Sequence, residues 1–277
     1  MSMPDYVIRP LTLSDAPAAA KLWHIVFGDE EALVMEFFRL FPHCPHFGFC
    51  AEADGVIAAA AYCPHGTDYI TAEGAVSKGA YLYAVATHPD HRKQGLAHRL
   101  CMELRDAAFS AGMDYVFTKP SEESLYPWYE DKIGAIPLLG SKQLSFSATA
   151  GTALPLSPIS TEEYLSRRNA LLQGTAHVRH SEGWVPWQQL LHKAYGGGYY
   201  AVGEHIADLY CNGNTVQINE LLPHCDDTQA EVVAQTLMSA LGAKECICTL
   251  FGEGHYVSAV SANNLLPENA WFGVCYG

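Results

Sequence analysis

The stretch YLYAVATHPDHRKQGLA, residues 81–97, decides the reading of this chain. It begins as a strand of alternating aromatic and small residues and breaks at His88-Pro89, where proline removes a ladder donor. A basic turn follows, Arg92-Lys93-Gln94-Gly95-Leu96-Ala97, and opens into a helix. Leu96, Leu100, Met102, Leu104, Ala107 and Ala108 recur at helical spacing on that helix. A strand, a tight turn with one glycine and a helix N-terminus form a ready anion site. The first helical amides lack partners and the helix dipole favours negative charge there. Gly95 allows close backbone approach, and Arg92, Lys93, His98 and Arg99 add positive charge. Neither a Gly-Lys-Ser/Thr phosphate loop nor a Gly-x-Gly-x-x-Gly turn is present in this segment.

Working outward, Tyr6-Val7-Ile8 reads as a first strand, and Ser14-Asp15 caps a helix reaching Phe27. A second helix opens at Asp29 and ends at Pro42. Residues 47–53 and 56–63 form a hairpin around Asp54-Gly55, with a short strand at 69–71. After the central helix, stopped by Gly112, come a strand at 115–118, a helix from Ser121 to Ile133, and strands at 136–139 and 143–146.

This order of elements, with Arg92, Gly95 and Ala97 in the turn, resembles the GNAT superfamily of acetyl-CoA-dependent N-acetyltransferases over residues 3–148. The fold class implied is α/β with a mixed sheet. The resemblance assigns Val85, Ala86, Thr87, Arg92, Lys93, Gln94, Gly95, Leu96, Ala97 and His98 to acetyl-CoA, with the 85–87 backbone holding pantetheine. In SEESLYPWYEDKIGA, residues 121–135, the pair Trp128-Tyr129 matches the family's aromatic-Tyr pair, whose hydroxyl lies beside the CoA sulfur. Tyr129 stands five residues before Gly134, one more than usual, and Ala135 replaces a common aromatic. Read from its front end, the segment is similar to enhanced-intracellular-survival acetyltransferases and favours Tyr126. Tyr129 is the first candidate for general acid and Tyr126 the second. For the acceptor, family analogy points to the first two helices, including Glu30 and Phe37. Trp23, His24, Phe27 and Phe38 add aromatic character suited to an amine with an apolar part. Candidate bases are Glu30, Glu31, His88 and the C-terminal carboxylate, the last by likeness to the survival-type enzymes. The reaction implied is direct attack of a small-molecule or peptide amine on the thioester. The alternative is a catalytically silent acyl-CoA-binding sensor, and the irregular Tyr-to-Gly spacing is its one support.

With 277 residues, two domains are the default: 1–150 for the acetyltransferase, a Pro/Ser/Gly-containing linker at 151–160, and a smaller α/β domain at 161–277. That second part echoes the first. A hairpin leads to a strand ending near Pro223, then a helix stopped by Gly242 and a further strand. Asp226 and Asp227 occupy the place of the basic turn and would repel a pyrophosphate, so a degenerate half-GNAT module is the expectation.

The net charge of −14 disfavours a nucleic-acid partner and suits a cationic substrate. The nine cysteines are scattered and read as small buried hydrophobes in a reducing, cytoplasmic compartment. Cys246 and Cys248, the His-Cys-Pro-His run at 43–46 and the His177/His180 pair lack metal-site spacing, so no metal is expected. No signal peptide is read at the N-terminus, and the longest apolar run, 56–63, is too short to cross a bilayer, so no membrane partner is expected. A homodimer is compatible with all of this.

Overall fold

The computed structural model describes residues 5–41, 47–149, 153–180, 183–265, 267 and 270–273. In chain order the first half comprises β1 (Val7–Pro10), α1 (Ala16–Phe27), α2 (Glu31–Leu40), β2 (Gly48–Ala53), β3 (Val56–Tyr62), β4 (Thr67–Ile70), β5 (Val76–Ser77), β6 (Gly79–Tyr81), β7 (Tyr83–Thr87), α3 (Leu96–Ser110), β8 (Tyr115–Thr118), α4 (Tyr126–Ile133) and β9 (Ile136–Ser147). The second half adds β10 (Leu156–Pro158), α5 (Thr161–Leu171), β11 (His177–His180), α6 (Trp184–Tyr195), β12 (Gly198–Val202), β13 (His205–Asn212), β14 (Thr215–Leu222), α7 (Asp227–Leu241) and β15 (Glu245–Ser261).

Among the described residues the strands form a mixed α/β arrangement of three sheets. One runs β1-β2-β3-β7, and a small one runs β11-β4-β5. The largest runs β10-β12-β13-β14-β15-β8-β6, with β9 also paired to β15. β15 joins the two halves of the chain. Its first residues pair in parallel with β14, and Ser258–Ser261 pair antiparallel with β8. β9 follows β15 along most of its length, from Ile136 opposite Ala259 to Ser147 opposite Glu245. The strands expected separately at 136–139 and 143–146 are thus one strand, continuous because both ends find the same partner. Residues 156–158, expected in the linker, form β10 against β12.

Local chemistry accounts for the helix boundaries. Arg9 binds both Asp15 and Glu52 at 2.6–2.8 Å, fixing the turn before α1 against β1 and β2. Gly28 ends α1 in the left-handed region at φ 86°, as a C-terminal glycine does. α4 starts later than expected, at Tyr126, because Pro127 belongs in a first helical turn.

The helices cover the sheets through three apolar clusters. Leu96, Leu100, Leu104 and Ala108 of α3 pack on the alanine-rich face of β2 and β3, where Ala51, Ala58, Ala59 and Ala61 let the helix come close. On the opposite face α1, α2 and α6 meet in an aromatic cluster, with Trp23, Phe37, Tyr62, Trp184 and Trp187 all at 3% exposure or less. The third cluster seats α7 on β13–β15 and includes Cys246 and Cys248, both fully buried. Burial pushes the Cys246 thiol up to about 12, so it stays protonated and packs as a small hydrophobe. Among the described residues no helix is long and apolar enough to cross a membrane.

Candidate active site

The chain changes sheets between β6 and β7, and a cleft opens at that point. β6 pairs in parallel with β8, and the last bond of that ladder runs from Leu82 N to Phe117 O at 2.7 Å. Ala84 then takes a positive φ of 48°, and among the described residues β7 pairs only with β3. His88 N donates to Ala58 O, so by the strand's two-residue period the amides of Val85 and Thr87 point the other way, toward the gap beside β8. Thr118 marks the fork, donating its hydroxyl to Leu82 O at 3.1 Å.

Below the fork lies the basic turn. His88 accepts from Asp90 N at 3.3 Å and holds a one-turn 3-10 helix at Pro89–His91. Lys93 and Gly95 both adopt left-handed backbone, at φ 64° and 72°. Alternation of this kind turns successive amides toward a common point and makes an anion-binding concavity. Gly95 occupies the N-cap position of α3 with no side-chain cap, and nothing lies within 4 Å of where its Cβ would sit. Arg99 N bonds back to Gly95 O at 3.1 Å, so the preceding amides of Leu96, Ala97 and His98 stand ahead of the helical ladder. Arg92, Lys93 and Gln94 are exposed around this rim, and Arg92 Nε anchors to Thr87 O at 3.3 Å. The turn thus has the donors, the space and the charge to hold a diphosphate.

The cleft above it has a volume of about 590 Å³. One wall is the fork: Tyr83, Ala84, Val85, Thr118, Lys119 and Tyr129. Tyr129 is 8% exposed, and burial pushes its phenol up, with a Thr118 hydrogen bond opposing. Tyr126 and Tyr129 lie on one face of α4 and both are buried, yet they part company at their hydroxyls. Tyr126 donates to Tyr256 O of β15 at 3.0 Å and does not line the cleft. Tyr126→Phe is therefore expected to lower stability by about 1–3 kcal/mol through an orphaned carbonyl, leaving turnover intact. Denaturant unfolding beside steady-state rates checks this.

The other wall comes from α1 and the second half of the chain: Trp23, Phe27, Asp29, Leu191, Tyr195, Tyr210, Gln217 and Asn219 among others. Asp29 is its acidic group. Trp23 Nε1 donates to one carboxylate oxygen at 2.7 Å, and the Tyr195 hydroxyl donates to the other. Glu30 is one residue further on, exposed, at the N-cap of α2, and is not among the cleft residues. Phe37 lies wholly in the aromatic core, 5.3 Å from Trp23 between ring centres, and supports the cleft from behind. Glu31 is exposed outside the cleft, and His88 is engaged in its turn. The C-terminal carboxylate and the 43–46 run lie outside the described residues. His177 and His180 bond to the carbonyls of Thr175 and Phe272. Asp29 escaped sequence reasoning by one position. Tyr195, Tyr210, Gln217 and Asn219 carry no motif at all.

The second half contains one unit comparable to the basic turn and its helix. β14, α7 and β15 form a parallel unit, with α7 ended by left-handed Gly242 as α3 is followed by left-handed Gly112. At the N-terminus of α7, Asp226 accepts from Gln229 N at 2.8 Å in a capping box. Where Gly95 leaves the amides of α3 open, a carboxylate fills the matching place on α7.

Comparison with known proteins bears on the family and the fold. Residues 7–130 match the family model described as an acetyltransferase (GNAT) domain. A GCN5-related N-acetyltransferase from Kribbella flavida superposes with a TM-score of 0.65 at 13% identity, over 92% of this chain and 70% of that one. Eis1 from Mycobacterium abscessus gives 0.61 at 13%, over 93% and 74%. A GCN5-related N-acetyltransferase from Anabaena variabilis gives 0.65 at 10%, over 92% and 72%. At such identities these likenesses speak for the fold alone. No curated protein matches the sequence. Residues 7–130, a little under half of the chain, are thus similar to the acetyltransferase (GNAT) domain family, and the whole chain shares the fold of these N-acetyltransferase structures.

Proposed function

We propose that this protein transfers the acetyl group of acetyl-CoA to a primary amine of a small molecule or peptide, by direct attack and without a covalent enzyme intermediate. The observation that carries the reading is the junction of three features in one place: the splayed β7 edge, the open amides of α3 below it, and the Tyr129 phenol in the same cleft. The 93–98 amides, with Arg92 and Lys93, would hold the diphosphate. The outward amides of β7 would hold the pantetheine arm and polarise the thioester carbonyl. Tyr129, kept protonated by burial, would give its proton to the departing thiolate, a contribution of about 10²–10⁴-fold.

Asp29 would receive the acceptor's ammonium among the rings of Trp23, Phe27 and Tyr195, with Phe37 behind Trp23, and the nitrogen would lose its proton to solvent before it attacks. The acidic surface would draw such a cation toward the cleft. Two lobes follow from this reading: residues 1–150 bind the acyl donor, and residues 161–277, a degenerate half-module, supply the far wall of the acceptor cleft. The cysteines free among the described residues fit a cytoplasmic enzyme.

Thiol release from acetyl-CoA with a panel of primary amines tests the reading. Amine-dependent release is the expected result. Tight acetyl-CoA binding with no release for any amine would turn the protein into a sensor.

A further inference from the structure

The far wall of the cleft contains a deliberate irregularity. β13 and β14 pair regularly from Asn212–Thr215 to Leu209–Ile218, and then the register jumps so that Asp208 faces Glu220. Asn219 is the extra residue of a β-bulge, a device that re-aims a side chain. The buried face confirms the shift: Val216 and Ile218 pack under α7 before the bulge, Leu221 after it.

The displaced Asn219 lines the cleft while remaining only 6% exposed. Its amide is held from below. Asn219 Nδ2 donates to Asp208 Oδ2 at 3.1 Å. Asp208 is fully buried and also meets Gln188 Nε2 at 3.0 Å and His192 Nε2 at 2.6 Å. A carboxylate surrounded by donors fixes which way an amide faces, since only the –NH₂ end can satisfy it. That commits the –NH₂ of Asn219 downward and leaves its carbonyl oxygen for the cleft, on the wall that also carries Gln217 and Tyr210.

We infer that Asn219, oriented by Asp208, is a specificity-determining residue that accepts a hydrogen bond from a second N–H or O–H group on the acceptor, beyond the amine that is acetylated. The acceptor class is then a diamine or amino alcohol rather than a simple monoamine. This rests on the proposed acetyl transfer, with Asp29 receiving the reacting ammonium. Asp208 acts through Asn219 and is a positioning residue.

The test compares monoamines with diamines and amino alcohols of equal chain length, using wild type, Asn219→Leu and Asp208→Asn. Asn219→Leu is expected to raise the ratio of KM for two-donor amines to KM for monoamines about tenfold, the worth of one hydrogen bond. Asp208→Asn, which lets the Asn219 amide turn over, should give a weaker loss with the same selectivity. Should Asn219→Leu fail to fold, Asn219→Ala makes the same comparison, with folding verified by thermal melting. Equal effects on both amine classes, or none, would overturn the inference while the acetyltransferase reading stands. No turnover of any amine by wild type would overturn both.

Discussion

Gly95→Asp is expected to raise KM for acetyl-CoA on the order of a hundredfold while barely changing thermal stability. Two opposed effects meet at this position. A carboxylate at the N-cap of α3 would accept from the first-turn amides, as Asp226 does on α7, and would complement the helix dipole. Asp also tolerates left-handed backbone better than most residues, which limits the cost of φ 72°. Nothing within 4 Å obstructs the new Cβ, so no packing is disturbed. The same carboxylate would occupy and repel the point where a diphosphate has to sit. Losing two charge-assisted bonds at about 1.5 kcal/mol each accounts for that order of magnitude. Steady-state kinetics with acetyl-CoA varied, beside a thermal melt, separates the two effects. An unchanged KM would dissociate the turn from the acyl donor.

Tyr129→Phe is expected to lower kcat by about 10²–10⁴-fold with little change in either KM. The ring stays to pack against Trp128, 5.0 Å away between centres, and only the hydroxyl is lost. Proton donation matters when the thiolate departs, after both substrates are bound, which is why the loss belongs in kcat. The pH profile offers an independent check. Burial raises the phenol's pKa above its ordinary value of 10.0, so the acid form persists below that pH. Activity should rise with pH as the acceptor loses its proton and show no alkaline fall from Tyr129 below about pH 10. A Tyr129→Phe enzyme with wild-type kcat would remove this residue from the chemistry.

The fold was legible in the sequence where its cause is local. The turn at Gly95 declares itself through proline, charge, one glycine and a helical period, all within the 81–97 stretch. Gly112 and Gly242 marked the ends of their helices for the same reason. What stayed hidden depends on partners far along the chain. β15 binds β14 with its first residues and β8 with its last, and no period within 245–261 reveals that it serves both halves. The bulge at Asn219 is a matter of register between two strands and leaves no mark on either alone.

The site shows the same division. The residues assigned to the acyl donor fall together around the fork and the turn because they are consecutive in sequence. The choice between Tyr126 and Tyr129 could not be settled by spacing, since both occupy the buried face of α4. The two differ in their surroundings: the Tyr126 hydroxyl donates to the Tyr256 carbonyl, whereas Tyr129 lines the cleft. The acidic acceptor group was expected at Glu30 and the cleft holds Asp29. Gly28 reverses the chain after α1, and the very next side chain folds back to Trp23.

The most direct measurement is a crystal structure with bound acetyl-CoA or CoA. Its diphosphate should lie against the amides of residues 93–98, with the sulfur within hydrogen-bond reach of Tyr129 Oη. A nucleotide bound elsewhere, or a sulfur that approaches neither Tyr129 nor the outward amides of β7, would contradict the assignment of this cleft to acetyl transfer.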